Sequence, residues 1–461
     1  MRRHSLLALR LTAGVLAFLP AHVSAQHGNT TRVSVGASGT QADQGAFLPS
    51  VSADGRLVVF SSTSTNLVPG DTNAVGDIFL FDRHTTTTTR VSVSSTGTQS
   101  NGPSGSGVIS NDGHFIAYHS LATNLVVGDT NAAIDVFVYE VATGTTSRVS
   151  VDSFGSEGNA DSNSTSITSD GRYVGFNSYA SNLVPGDTNA KNDAFVHDRA
   201  TGATKRVSIA TDGTQGNDHS GSLVSVTDNG LAAVFSSLAS NLVPGDTNNQ
   251  PDVFLHNLAS GQTTRVSVGP NWQQANGGSG FDPFASPDGK FVLFSSSASN
   301  LVPGDSNGTM DVFCRDLAVQ ETTRISLSSD GMQGDGESSW GRLSLDGRFA
   351  AFQSLSSNLV PGDTNALADV FVKNLETGAL TRDSISSIGA EGNGDSSQPC
   401  LSGDGQFIAF TSGASNLVVG DTNGAIDVFL HERPTSKIHF YCTSKTNSCG
   451  SDPSLLFSGG S

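Results

Sequence analysis

Short apolar runs punctuate a polar, glycine-rich chain, and they recur on a regular beat. Leu57-Val58-Val59-Phe60 and Phe291-Val292-Leu293-Phe294 are apolar at successive positions rather than alternate ones. A strand written this way is buried on both faces, as when small sheets stack against neighbours. A turn such as Asp54-Gly55, Asp112-Gly113 or Asp170-Gly171 precedes each run. An Asp-x-Phe segment follows it, from Asp77-Ile78-Phe79 to Asp427-Val428-Phe429, and then an Arg-Val-Ser-Val type segment. Bounded by turn residues, these read as four short strands: a before Asp-Gly, b ending in an aromatic, c opening with Asp-x-Phe, and d carrying the Arg.

The string Asn-Leu-Val-Pro-Gly-Asp-Thr-Asn begins at Asn66 and returns, slightly varied, at Asn124, Asn182, Asn241, Asn300, Asn358 and Asn416. The spacing is 58 residues, except for two steps of 59 that end at Asn241 and Asn300. Four strands per unit, both faces covered and a period in this range predict an all-β, seven-bladed β-propeller of four-stranded antiparallel blades. A linear β-solenoid is the alternative, but it would need caps at both ends. Strand d recurs at Arg32, Arg90, Arg148, Arg206, Arg265, Arg324 and Arg382, and its first copy precedes any strand a. Thr31–Val35 is therefore expected to complete the last blade beside Asp427–Leu430, closing the ring with the N-terminal strand. Lys437–Tyr441 is the competing closure. The repeated core layer should be Phe79, Phe137, Phe195, Phe254, Phe313, Phe371 and Phe429.

Ser52-Ala53-Asp54-Gly55-Arg56, the run to Phe60, and Asp77-Ile78-Phe79-Leu80-Phe81-Asp82 together resemble the WD40-like (PD40) repeat of TolB-like propellers. Ser286-Pro287-Asp288-Gly289-Lys290-Phe291 is the best copy. The resemblance covers nearly all of residues 31–433. It implies the propeller fold and, from TolB proteins, a periplasmic place and partner proteins of the cell envelope. TolB proteins also carry an N-terminal α/β domain and usually six blades. This chain has seven repeats and no room for that domain between Ala25 and Thr31.

Residues 1–25 read as a secretory signal peptide: Arg2 and Arg3, an apolar run from Leu11 to Leu19, then Val23-Ser24-Ala25 for cleavage. That run is too short to span a bilayer, so the protein is expected to be secreted or periplasmic and not membrane-embedded. The propeller is assigned to 26–433, and 434–461 to a tail of different character. Lys+Arg 24 against Asp+Glu 42 gives a formal charge of −18, which argues against a nucleic-acid partner. Twenty of those acidic residues occupy repeated turn or strand-opening positions. Four cysteines are too few for a disulfide framework in a chain this long: Cys442 and Cys449 are near enough to bridge, Cys314 takes a core strand position, and Cys400 has no obvious partner.

The Gly-Asp-Thr-Asn loop holds the densest candidate chemistry. Each unit supplies two Asp and an Asn at positions one, three and seven: Asp71, Asn73, Asp77; Asp129, Asn131, Asp135; Asp187, Asn189, Asp193; Asp246, Asn248, Asp252; Asp305, Asn307, Asp311; Asp363, Asn365, Asp369; and Asp421, Asn423, Asp427. Oxygen donors this close suit a hard cation such as Ca²⁺. They equally suit turns, where Asp and Asn side chains bond nearby backbone N–H groups. Repetition in every blade favours the turn. Trp272 and Trp340 both fall in d–a connections and are candidate contacts for a sugar or a partner. A nucleophile elbow, a zinc-binding His pair, a P-loop and a Cys-x-x-Cys are all missing from the sequence. The expected function is a non-enzymatic binding or scaffold protein, using its b–c and d–a loop face on a protein or glycan. A polysaccharide-active lyase or hydrolase and a repeat-borne calcium-binding protein are the alternatives. A deep central pocket with converging Asp, His or Arg would favour the enzyme; a shallow polar face would favour the binder.

Overall fold

The seven units close into a ring of seven four-stranded antiparallel sheets, in a computed structural model that describes residues 27–434. The first blade shows the plan. Strand β2 (Ala46–Val51) lies innermost, followed outward by β3 (Leu57–Ser62), β4 (Asp77–Asp82) and β5 (Thr87–Arg90). The other innermost strands are β6 (Ser104–Ile109), β10 (Ser162–Ile167), β14 (Ser220–Val226), β18 (Ser279–Ala285), β22 (Ser338–Leu343) and β26 (Ser396–Leu401). The last blade ends on β28 (Asp427–Glu432), whose outer partner is β1 (Asn29–Arg32), with Asn29 opposite Glu432 and Arg32 opposite Phe429. N-terminal closure is thus observed. Lys437–Tyr441, the signal segment, the Cys442–Cys449 pair and the tail beyond Pro434 lie outside the described residues.

The core follows the apolar pattern. All seven c-strand phenylalanines are fully buried, and each stacks on the aromatic that ends strand b, as in Phe60–Phe79 with ring centroids 5.8 Å apart. Val58 and Val59 face opposite sides of their sheet and both are fully buried, because a neighbouring blade covers each face. Burying one such side chain is worth roughly 1.5–3 kcal/mol. Cys314 is buried in this core, which pushes its thiol up to about 12.

Two polar systems join the blades. Toward the outside, a strand-d threonine hydroxyl donates to a backbone carbonyl of the preceding blade, as in Thr146 to Val93 and Thr204 to Val151, both at 2.5 Å. Leu380 occupies this position in the sixth blade, and Lys373 Nζ donates to Leu327 O at 2.7 Å instead. Toward the axis, the a–b turns bond one another: Ala53 N to Asn111 O, Asp112 N to Ser169 O, Asp228 N to Pro287 O and Gly403 N to Ala53 O, at 2.9–3.0 Å. The Ser-x-Asp-Gly signature builds these turns. Asp54 Oδ1 accepts from Ser52 Oγ and Arg56 N, and Gly55 takes φ +69°. No helix among the described residues is long and apolar enough to cross a membrane.

Candidate functional site

The structure assembles each Gly-Asp-Thr-Asn loop around an arginine. In the first blade the strand-d Arg90 Nη1 lies 3.1 Å from Asp71 and 3.5 Å from Asp77. Asp77 is fully buried. Its Oδ1 accepts from Ser92 Oγ and from Ser100 Oγ, and its Oδ2 from Asn73 Nδ2 at 3.0 Å. Arg32, Arg148, Arg206, Arg265, Arg324 and Arg382 repeat the arrangement around their own Asp pairs. The guanidinium supplies the positive charge that the paired carboxylates need, and the Asn shapes the turn: Asn131 Oδ1 accepts from Ala133 N at 2.9 Å. Burial, with the second Asp, raises the loop carboxyls Asp71, Asp129 and Asp187, and Asp363 reaches about 6.

The two tryptophans part company. Trp272 stands on the tip after a strand d, 59% exposed, with the Arg315 guanidinium 5.0 Å from its ring centroid. Trp340 is not in a d–a connection: it sits within β22, on the wall of the central channel. Strand a begins earlier than its polar sequence suggests, because a β-bulge interrupts the alternation that would have marked it.

That bulge recurs in all seven innermost strands. At the bulge Leu48, Ser106, Ser164, Asp282, Trp340 and Gln398 hold φ between +53° and +59°, a left-handed conformation that non-glycine residues adopt at a cost of about 1–3 kcal/mol. All six line a central cavity of about 270 Å³. Because the bulge repeats with the blades, this backbone belongs to the architecture of the inner strands, and it aims the bulge residues at the cavity.

The wall is chemically lopsided. One side carries Ser106, Ser164, Ser166 and Ser222; the other carries Asp282, Phe284, Trp340, Arg342, Gln398 and Cys400. Arg342 lies over the rings of both Trp340 and Phe284, each centroid 5.6 Å away. Its Nη1 donates to Gly341 O at 2.9 Å, and among the described residues no carboxylate lies within ion-pair distance of it. Burial raises the Asp282 carboxyl, and Arg342 offsets part of that rise. The Gln398 carbonyl is fixed by Leu48 N–H at 3.0 Å and by Thr411 Oγ1 at 3.3 Å. The second carboxylate on the wall, Asp228, belongs to the turn ring, where its Oδ1 accepts from Ser169 N at 2.8 Å. The cavity therefore offers one carboxylate for proton transfer, one guanidinium for an anion, and an indole for a sugar face.

Asp282, Arg342 and Gln398 escape a reading based on repeats, because each is a single departure within a repeated strand. One feature of the sequence marks the strand of the first of them. The two 59-residue steps place their extra residue in β14 and β18, the seven-residue inner strands, and β18 carries Asp282.

No family model matches the chain, and no curated protein sequence does. Solved structures match its fold. An oligogalacturonate lyase in complex with manganese is 15% identical, over 90% of this chain and 95% of that one, with a TM-score of 0.52. An oligogalacturonate lyase from Vibrio parahaemolyticus is 14% identical over 88% and 94%, with a TM-score of 0.53. TolB from Acinetobacter baumannii is 15% identical over 82% and 81%, with a TM-score of 0.39. Likeness at these identities is likeness of fold. The expectation of a non-enzymatic binding scaffold is corrected on two counts: solved structures that share this fold include two lyases, so the fold itself does not argue for a scaffold, and a central cavity with Asp282 and Arg342 on its wall is the arrangement set out above as favouring the enzyme alternative.

Proposed function

We propose that this protein is a polysaccharide-active enzyme of the lyase type, working in the central channel on a glycan that bears uronic acids. The observation that carries the reading is the convergence of Asp282, Arg342 and Trp340 on one central cavity. Hydrolysis of a glycosidic bond ordinarily takes two carboxylates flanking it. Of the two on this wall, Asp228 is tied into the turn ring, which leaves Asp282 alone. Elimination needs only one base, provided that the substrate's own carboxylate is neutralised. In that reaction Arg342 holds the uronate carboxylate, and Asp282 takes the proton on the carbon next to it. The electrons of that C–H bond form the new C=C bond, the glycosidic C–O bond breaks, and water protonates the departing oxygen. Desolvation, which raises the Asp282 carboxyl, makes its anion the stronger base. Trp340 stacks on the apolar face of the sugar.

Residues 1–25 act as an export signal in this reading, placing the propeller of 26–433 outside the cytoplasm or in the periplasm, where polymeric glycans occur. The test is incubation with a panel of acidic polysaccharides, followed by the ultraviolet absorbance of an unsaturated uronate and by reducing ends. Both should rise together. Asp282→Asn should cut the rate at least about 100-fold, the usual scale for a general base, and Arg342→Ala should chiefly raise KM. Reducing ends without absorbance would mean hydrolysis and would refute the lyase. Silence in both readouts across the panel would refute the enzyme.

A further inference from the structure

Nine residues after each strand-d arginine, five units carry glutamine: Gln41, Gln99, Gln215, Gln274 and Gln333. The second and sixth blades carry Glu157 and Glu391 instead. The exchange has a local consequence. Where glutamine is present its amide can donate to the loop aspartate, as Gln99 does to Asp71 Oδ1 at 3.1 Å and Gln274 to Asp246 Oδ1 at 2.8 Å. Glutamate has no N–H to give. Arg148 Nη1 then faces three carboxylates, Glu157 at 2.8 Å, Asp135 at 3.0 Å and Asp129 at 3.4 Å, with two hydrogens to share. Arg382 Nη1 faces Glu391 at 2.6 Å, Asp369 at 3.2 Å and Asp363 at 3.5 Å.

The longest contact goes unserved in both. Asp129 Oδ1 and Asp363 Oδ1 are buried without a hydrogen-bond donor, on side chains 1% and 2% exposed. Among the described residues no other aspartate at this loop position is orphaned. The same defect thus appears twice, in the two blades that made the same exchange. In each, three carboxylate oxygens lie within 4.8 Å of one another. Three negative charges against one guanidinium leave two uncompensated. Glu157 and Glu391, about one-fifth exposed, leave the cluster reachable from solvent.

We propose that the second and sixth blades each bind one hard divalent cation of the Ca²⁺ type, through Asp129, Asp135 and Glu157 in one and Asp363, Asp369 and Glu391 in the other. Oxygen-only donors and a charge deficit of two fit such an ion, which fills its remaining coordination with water. The five glutamine blades do not bind one, since a neutral amide stands there in place of the third carboxylate and, in the first and fourth blades, donates to the loop aspartate.

The test uses the full chain, stripped with EDTA and titrated with CaCl₂ by calorimetry and by thermal unfolding. The expected result is two ions per chain and a raised unfolding midpoint. The variant E157Q/E391Q copies the five other blades, so it should fold; it should bind no Ca²⁺ and show a midpoint indifferent to chelator. Absence of binding to the wild-type chain overturns the proposal, as does a stoichiometry near seven or undiminished binding by E157Q/E391Q. A wild-type midpoint that follows pH but not Ca²⁺ shows that a proton, rather than a cation, serves the orphaned oxygens, and also overturns it.

Discussion

Asp363 illustrates how one position in a repeat acquires its own titration. Burial first, then the neighbouring Asp369 and Glu391, raise its carboxyl to about 6, against a partial offset from Arg382. Its folded-state value lies above its unfolded one, so the stabilisation it brings is complete below about pH 3.8 and is lost as pH rises through about 6. Asp363→Asn, measured in chelator, should therefore raise the unfolding midpoint relative to wild type at pH 7.5 and not at pH 4; equal effects at both would show that the group does not titrate in this window. His197 runs the other way. Burial lowers it to about 4, its Nδ1 lies 2.9 Å from Thr204 Oγ1, and the neutral ring is the form that the fold accepts. Its contribution is complete above about pH 6.5 and is lost as pH falls toward 4. His197→Phe, which copies the first blade's Phe81, should flatten that acid limb. Residues of this kind were partly legible. The phenylalanine layer showed because it repeats, and every member is buried as expected. Asp282 and Arg342 did not show, because a lone charge in a polar strand carries no periodic signal.

At the scale of the strand, the recurrent Asp-x-Phe segment depends on the serine two residues after the strand-d arginine. Ser208 Oγ donates to Asp193 Oδ1 at 2.5 Å and accepts from Ala194 N at 3.2 Å, so one buried hydroxyl serves a fully buried carboxylate and a buried amide. Ser208→Ala leaves both short of a partner and should cost about 1–3 kcal/mol, the usual penalty for an unserved buried polar group. Thr204→Val removes one inter-blade bond among several and should cost about 1 kcal/mol. Denaturant unfolding of the two variants checks the order; a larger loss for Thr204→Val would mean that the blades rely on the stitches between them more than on their internal networks. Three of the four strands could be placed from turns and apolar runs alone. Strand a resisted because its bulge breaks the alternation and its channel face is polar. For that reason Trp340 reads as a loop residue in the sequence and stands in a strand in the structure.

For the molecule as a whole, the ring hangs on one short N-terminal segment. Strand β1 supplies the outer strand of the last blade, and with it Arg32, 3.0 Å from Asp421 and 3.1 Å from Asp427, and Ser34, whose Oγ donates to Asp427 Oδ1 at 2.6 Å. Without it the last blade keeps three strands, Asp427 loses its cation and a donor while fully buried, and Thr30 no longer bonds Ile385 O of the sixth blade. Deleting residues 27–35 should therefore unfold or open the ring far more than the loss of one peripheral strand would suggest, because an unpaired buried carboxylate is among the costliest defects a core can hold. Covalent continuity is a separate matter. Asn29 lies opposite Glu432, so a short linker can join the two ends, and new termini cut at the exposed Thr96 turn would leave every blade intact. Such a permutant should fold with an unfolding midpoint at or above that of the parent, since the closing blade becomes one continuous chain and its loop-closure entropy falls. If the permutant is destabilised as severely as the deletion, closure depends on where the chain starts and not on the contacts that β1 makes, and the seven blades cannot be treated as energetically equivalent.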